Sequence, residues 1–391
     1  MDSEFGYEQN ARVSRREALL LGAVGAVTMA SQPALARASG GTDRWRETII
    51  VNALGGLSNP NRRGEPSPLG RRQPVEPRVI ADARASGMTA VNITLGYVAG
   101  DADPFEESVS EIAAWDWIIR NQSSDLVKVT SVADIKKAKA DRKIGLIYGF
   151  QNAVMVGDKP ERVDIFADFG VKIIQLTYNP SNQIGDGSMA PGNRGLTPLG
   201  HKVMERLHEN RIMVDLSHSG ERTCLDAARA STRPISINHT GCRALTDLPR
   251  NKTDEELRLV ASRGGFVGIY FMPFLNLSGH AAPGDVVAHI EHAIKICGED
   301  HVGIGTDGGT TSIDDMDAFR KSLAREVELR RASGIGATGE RADTLPFVPG
   351  LDGVGQFFKL ATMLEKRGHS QSRIEKILGG NFLRFAHEIW A

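Results

Sequence analysis

The sequence predicts an α/β fold, a TIM-type (β/α)8 barrel with extra C-terminal helices. Three observations point there. Eight short, apolar, β-rich runs recur along the chain, each followed by helical patterning. Most runs are bounded by Gly, Asp or Asn, as buried parallel strands are. No G-x-G-x-x-G or Walker pattern follows any run, so an open nucleotide-binding sheet has no motif support.

The first 38 residues read as an address. Arg15-Arg16 stands before an apolar run over 18–30, and Ala34-Leu35-Ala36-Arg37-Ala38 supplies the small residues of a cleavage site. The pattern is that of a twin-arginine export signal, which predicts one barrel domain over 39–391 in the periplasm or a comparable exported compartment. The apolar run is too short to span a bilayer, and the sequence predicts no integral membrane segment in the mature chain.

Strands are expected at 48–52, 89–95, 143–150, 171–178, 212–217, 235–239, 265–271 and 301–307. Helices are expected at 75–86, 108–121, 132–140, 161–169, 198–209, 221–230, 254–262 and 285–297, with a helical tail at 355–367 and 372–378. The Pro/Gly/Arg-rich stretch 59–77 falls after the first strand, where a barrel places active-site loops. His289 and His292, three apart on a helix, read as a solvated face. Trp115 and Trp117 read as core or partner-facing residues of an amphipathic helix.

Composition excludes several classes. Charged residues at 24% and hydrophobic ones at 41% fit a globular body rather than a disordered or membrane-embedded one. Forty-seven basic against 48 acidic side chains leave a net charge of −1, without the basic field that a nucleic-acid partner needs. Three cysteines without C-x-x-C exclude a disulfide-framed scaffold and a Cys-rich zinc module.

In a barrel, chemistry gathers where the strands end. V-D-L-S-H finishes at His218, P-I-S-I-N-H at His239 and V-G-I-G-T-D at Asp307. Two imidazoles from adjacent strands with an acid nearby suit a metal or a proton relay. A single strand-end histidine equally suits a hydrogen-bonded loop. Asp215, inside an apolar strand, reads as a satisfied structural acid tying that strand to a neighbour.

These strings carry a resemblance. G-L-T-P-L-G at 195–200, V-D-L-S-H, P-I-S-I-N-H, P-R-N-K at 249–252, D-H-V-G-I-G-T-D at 300–307 and I-L-G-G-N-F-L-R at 377–384 occur in shared order. The chain resembles the membrane dipeptidase (renal dipeptidase) family of zinc metallopeptidases, as a divergent bacterial exported branch. The resemblance implies a barrel that cleaves dipeptides, often as a homodimer, at a two-zinc centre. It implies His218 and His239 as ligands of one zinc, Arg250 as the grip on the substrate carboxylate, and Asp307 as the proton shuttle.

The other half of that centre departs from the pattern. Leu54 and Gly56 stand where the family has a histidine and an aspartate ligand, and neither can bind zinc. Gln151 replaces the bridging glutamate, and a neutral amide does little to offset two cations. Tyr178 replaces the histidine that polarises the scissile carbonyl; its phenol can donate to an oxyanion. The expectation is at most one zinc ion, at His218 and His239 with help from Gln151, or none. The leading reading is a hydrolase of a dipeptide or small amide with a free carboxylate. The alternatives are a non-hydrolytic barrel enzyme for proton transfer, isomerisation or elimination, and a non-catalytic binding protein.

Overall fold

The computed structural model describes residues 43–62 and 73–391; the expected export signal at 1–38 lies outside the described residues. In chain order the strands are β1 Ile50–Gly55, β2 Met88–Leu95, β3 Leu126–Val129, β4 Ile144–Phe150, β5 Val171–Gln175, β6 Met213–Asp215, β7 Ser236–Thr240, β8 Phe266–Ile269 and β9 Val302–Ile304. The first helices are α1 Pro77–Ala85, α2 Pro104–Asn121, α3 Val132–Ala140, α4 Arg162–Asp168, α5 Pro198–Glu209 and α6 Glu221–Ala230. They are followed by α7 Asp254–Ser262, α8 Pro283–Cys297, α9 Met316–Ala332, α10 Gln356–Lys366, α11 Gln371–Glu375 and α12 Asn381–Trp390.

The barrel path is β1-β2-β4-β5-β6-β7-β8-β9, all parallel. It closes where Asp307 N–H donates to the Leu54 carbonyl at 2.9 Å and Gly56 N–H to the Gly308 carbonyl at 3.3 Å. The eight expected strands are these eight. Inside the barrel the G-I-G-T-D glycine is a steric requirement: a Cβ on Gly305 would fall 2.0 Å from the Asn238 carbonyl. Apolar inner residues Val51, Ile173, Met213 and Phe266 pack with Phe382, Phe385 and Ile389 of α12, so the C-terminal helix fills the end away from the strand tips.

Three elements go beyond the sequence reading. β3 is a ninth strand that pairs with β4 outside the barrel path. It is four residues long and carries Lys128, whose ammonium bonds to Asp116 at 2.9 Å, so neither length nor alternation marked it. The helix α9 lies in a stretch to which no element was assigned, and α12 extends the expected helical tail. β1 also runs on past Asn52, which looked like a strand-ending residue. Asn52 is instead buried and satisfied: its amide N–H donates to Thr306 Oγ1 and its oxygen accepts from Thr306 N–H, each at 2.8 Å.

The solvated-face reading of His289 and His292 is overturned. His289 is buried on α8; its Nδ1 accepts from Cys242 N–H at 2.9 Å, and its Nε2 faces the Leu275 carbonyl at 3.1 Å. Burial pushes this imidazole down to about 4. His292 lies 2.7 Å from Asp254 at the start of α7. The pair joins elements together rather than facing water. Trp115 is buried, and all three cysteines are buried and free. No described helix is long and apolar enough to cross a membrane.

Candidate active site

The ends of β4 to β7 bring five of the expected residues together. His218 Nε2 lies 3.0 Å from His239 Nε2, 3.1 Å from Gln151 Oε1 and 3.4 Å from Arg250 Nη2. The Tyr178 ring stacks on the His218 ring, with centroids 4.1 Å apart. The network fixes how His218 is protonated. Asn179 donates its amide N–H to the Ile335 carbonyl at 2.8 Å, so its oxygen, 2.7 Å from His218 Nδ1, must accept. His218 therefore carries its proton on Nδ1 and turns a lone pair inward from Nε2. Gln151 donates to Thr94 Oγ1 at 2.6 Å, which turns its oxygen inward as well. Burial first, and the Arg250 guanidinium second, hold both imidazoles well below their usual range, so both are neutral at pH 7.

Arg250 is 2% exposed. Its guanidinium donates to the Ser217 carbonyl at 2.6 Å and lies over the Tyr270 ring, 5.8 Å from the centroid. Among the described residues no carboxylate lies within ion-pair distance of it. A buried cation without an anion is costly, and it marks a place where an anionic ligand is expected.

The two histidine-bearing strand ends are held by Asp215. One carboxylate oxygen accepts from Ser217 N–H at 3.0 Å, Ser217 Oγ–H at 2.5 Å and Asn238 N–H at 3.0 Å. Ser217 Oγ in turn accepts from His239 N–H at 3.0 Å. The acid thus ties β6 to β7 just before each histidine, in the structural role its apolar strand suggested. Burial raises its pKa despite those donors.

Asp307 follows β9 in a left-handed backbone conformation, φ 60°, which aspartate tolerates better than most side chains. Burial pushes its carboxyl up to about 6, with Arg250 and Arg330 pulling the other way. Beside it, over the ends of β1, β2 and β9, the mouth is hollow: a cavity of about 680 Å³ opens there. Leu54, buried in β1, and Gly56, on the cavity wall, bring no metal donor to this side.

Sequence reasoning missed Arg330 on α9. Its guanidinium donates to the Tyr178 hydroxyl at 3.3 Å and is fixed by Glu340 at 2.5 Å. The loop after α9 also supplies the Ile335 carbonyl that orients Asn179. One excursion therefore sets both Tyr178 and His218. The signal existed: Phe319, Leu323 and Val327 recur every four residues behind an Asp315 cap, as in an amphipathic helix.

Residues 85–327 match the membrane dipeptidase family, peptidase family M19. The chain belongs to this family. An amidohydrolase from Pseudomonas aeruginosa is 30% identical, with a TM-score of 0.74 over 89% of this chain and 99% of its own. A metallopeptidase from Rhodobacter sphaeroides, solved with a phosphinate mimic of the dipeptide L-Ala-D-Ala, is 19% identical with a TM-score of 0.70, covering 88% of this chain and 100% of its own; at that identity it supports the fold. The dipeptidase tcpJ of Claviceps purpurea is 26% identical over 68% of this chain, and the match spans 56% of tcpJ.

The donor atoms present suit a metal ion. His218 Nε2, His239 Nε2 and Gln151 Oε1 converge; the two nitrogens are 3.0 Å apart, and ligands on one tetrahedral zinc sit about 3.3 Å apart. His218 also has the outer hydrogen bond that orients a metal-binding imidazole. Among the described residues no group of three or more His, Cys, Asp or Glu side chains could hold an ion.

Proposed function

We propose that the protein is an exported dipeptidase-like amidohydrolase that cleaves a dipeptide or small amide bearing a free carboxylate. The observation that carries this reading is Arg250: a buried guanidinium with no carboxylate in ion-pair distance among the described residues, 3.4 Å from the inward nitrogen of His218. A substrate carboxylate supplies the missing anion through charge-assisted hydrogen bonds. With that end anchored, the amide lies among Tyr178, His218 and Asp307. The Tyr178 O–H donates to the oxyanion that develops on the carbonyl oxygen. Asp307, deprotonated at neutral pH, accepts a proton from the attacking water and returns it to the leaving amine. His218, His239 and Gln151 would hold a zinc ion, which would supply Lewis acidity there.

The test combines metal analysis of the purified protein with hydrolysis of a dipeptide panel. About one ion per chain and release of free amino acids uphold the reading. A metal-free protein that cleaves no dipeptide overturns it. One observation favours a second reading in that case: the ligand set is wholly neutral and has a guanidinium beside it. That arrangement suits proton-transfer chemistry by Asp307 and Tyr178 on a carboxylate-bearing metabolite, and turnover of a non-amide substrate by the metal-free protein would establish it.

A further inference from the structure

The hollow side of the mouth is larger than a small dipeptide needs. The cavity starts at Thr306 and Asp307 and runs beneath α1, α2 and α9, with a volume of about 680 Å³. Val79, Trp115, Ile118, Phe319 and Phe347 give its wall an apolar face, beside the charged Glu76 and Asp352. Cavities of roughly 300–1,000 Å³ enclose drug-sized ligands, so a glycyl or alanyl group would leave most of this one empty.

The shape of the wall adds a second observation. Gly56 faces open space: a Cβ built there meets nothing within 4 Å, and its backbone is not left-handed. On the family pattern this position carries a metal-binding side chain. Here its absence gives room.

Resting on the reading that Arg250 takes the substrate carboxylate, we propose that this cavity is the pocket for the group on the carbonyl side of the scissile amide. The substrate class is an amino acid acylated by a bulky apolar group, an aromatic residue or a medium-chain acyl, rather than a dipeptide of small residues. Asp307 stands at the entrance, so the scissile bond falls between the Arg250 anchor and the apolar cavity.

The experiment holds the amine product constant and varies the acyl side: glycyl-, phenylalanyl-, tryptophanyl- and octanoyl-alanine. The expected result is a rise in kcat/KM of at least tenfold from the glycyl to the bulky substrates. Gly56→Leu, which fills the open space, lowers that ratio at least tenfold; Val79→Phe does the same from α1 should the first variant fold poorly. Equal kcat/KM across the series, or equal loss on all substrates in a folded variant, overturns the pocket. If no amide is cleaved, calorimetry with octanoyl-alanine against acetyl-alanine reads the pocket alone. Tighter binding of the octanoyl compound that Gly56→Leu abolishes keeps the pocket while the proposed hydrolysis falls. Equal binding rejects the pocket.

Discussion

The two sides of the barrel mouth differ in kind. Over β4 to β7 the side chains are crowded, buried and cross-linked: an imidazole, two amides, a phenol and a guanidinium lie within hydrogen-bonding or stacking distance of His218. Over β1, β2 and β9 the same strand-end positions surround a cavity walled mainly by apolar groups. The contrast teaches that losing metal ligands need not collapse a site. Leu54 is buried core and Gly56 borders open space, while on the polar side His218 and Gln151 are oriented by outer hydrogen bonds and His239 Nδ1 has no partner among the described residues. Asp307 stands between the two and belongs to both.

If the crowded side carries the chemistry, damage there must outweigh damage elsewhere. Arg250→Ala has the largest expected effect. It removes the only carboxylate anchor in the proposal; losing one partner of a buried charged pair costs about 2–5 kcal/mol, so kcat/KM should fall by about a hundredfold or more. Steady-state kinetics on a cleaved dipeptide check it, and a loss below tenfold would place substrate recognition elsewhere. Tyr178→Phe keeps the stack on His218 but removes the donor. A fall in kcat of about a hundredfold is expected, with KM little changed, as for loss of one oxyanion donor.

Asp307 sharpens the boundary between the sides through pH. Its carboxyl titrates at about 6 rather than near the ordinary 3.8, and a base must be deprotonated. Activity should therefore rise with pH through about 6, and Asp307→Asn should remove that limb along with most of the rate. The sign for folding is opposite. A carboxyl raised in the folded state stabilises below its unfolded value, and that contribution is lost as pH rises through about 6. A pH–rate profile flat between about pH 5 and 7 would remove Asp307 from the reaction. Arg330→Gln has the smallest expected effect. It frees the Tyr178 hydroxyl without touching substrate, so kcat should drop about tenfold at constant KM, with Arg330→Lys restoring part of it. A change in KM alone would mean that Arg330 binds substrate instead of positioning Tyr178.

The sequence made one side of the mouth far more legible than the other. His218, His239 and Asp307 end strands whose apolar runs are plain, and the structure brings them to one mouth with Arg250, Gln151 and Tyr178. Strand ends announce themselves because periodicity fixes where each run stops. The substitutions at Leu54 and Gly56 were visible too, but only as losses; a cavity depends on which distant side chains stop short of it, and α9 had not been placed. Arg330 was unreadable for the same reason. Its role depends on an excursion of chain after β9 that brings residue 330 back to residue 178, a contact that no local spacing encodes. Asp215 was expected to be a satisfied acid because burying a carboxylate in an apolar strand demands partners; one oxygen takes three donors, and the other has none among the described residues.

The most direct test counts tightly bound metal per chain in the purified protein, beside His218→Ala. With both imidazoles on one side of the mouth and, among the described residues, no cluster of three or more His, Cys, Asp or Glu on the other, the expected result is one ion per chain, lost in His218→Ala while the fold persists. Two tightly held ions per chain would contradict the account, because the hollow side would then hold a metal centre where a substrate pocket is assigned.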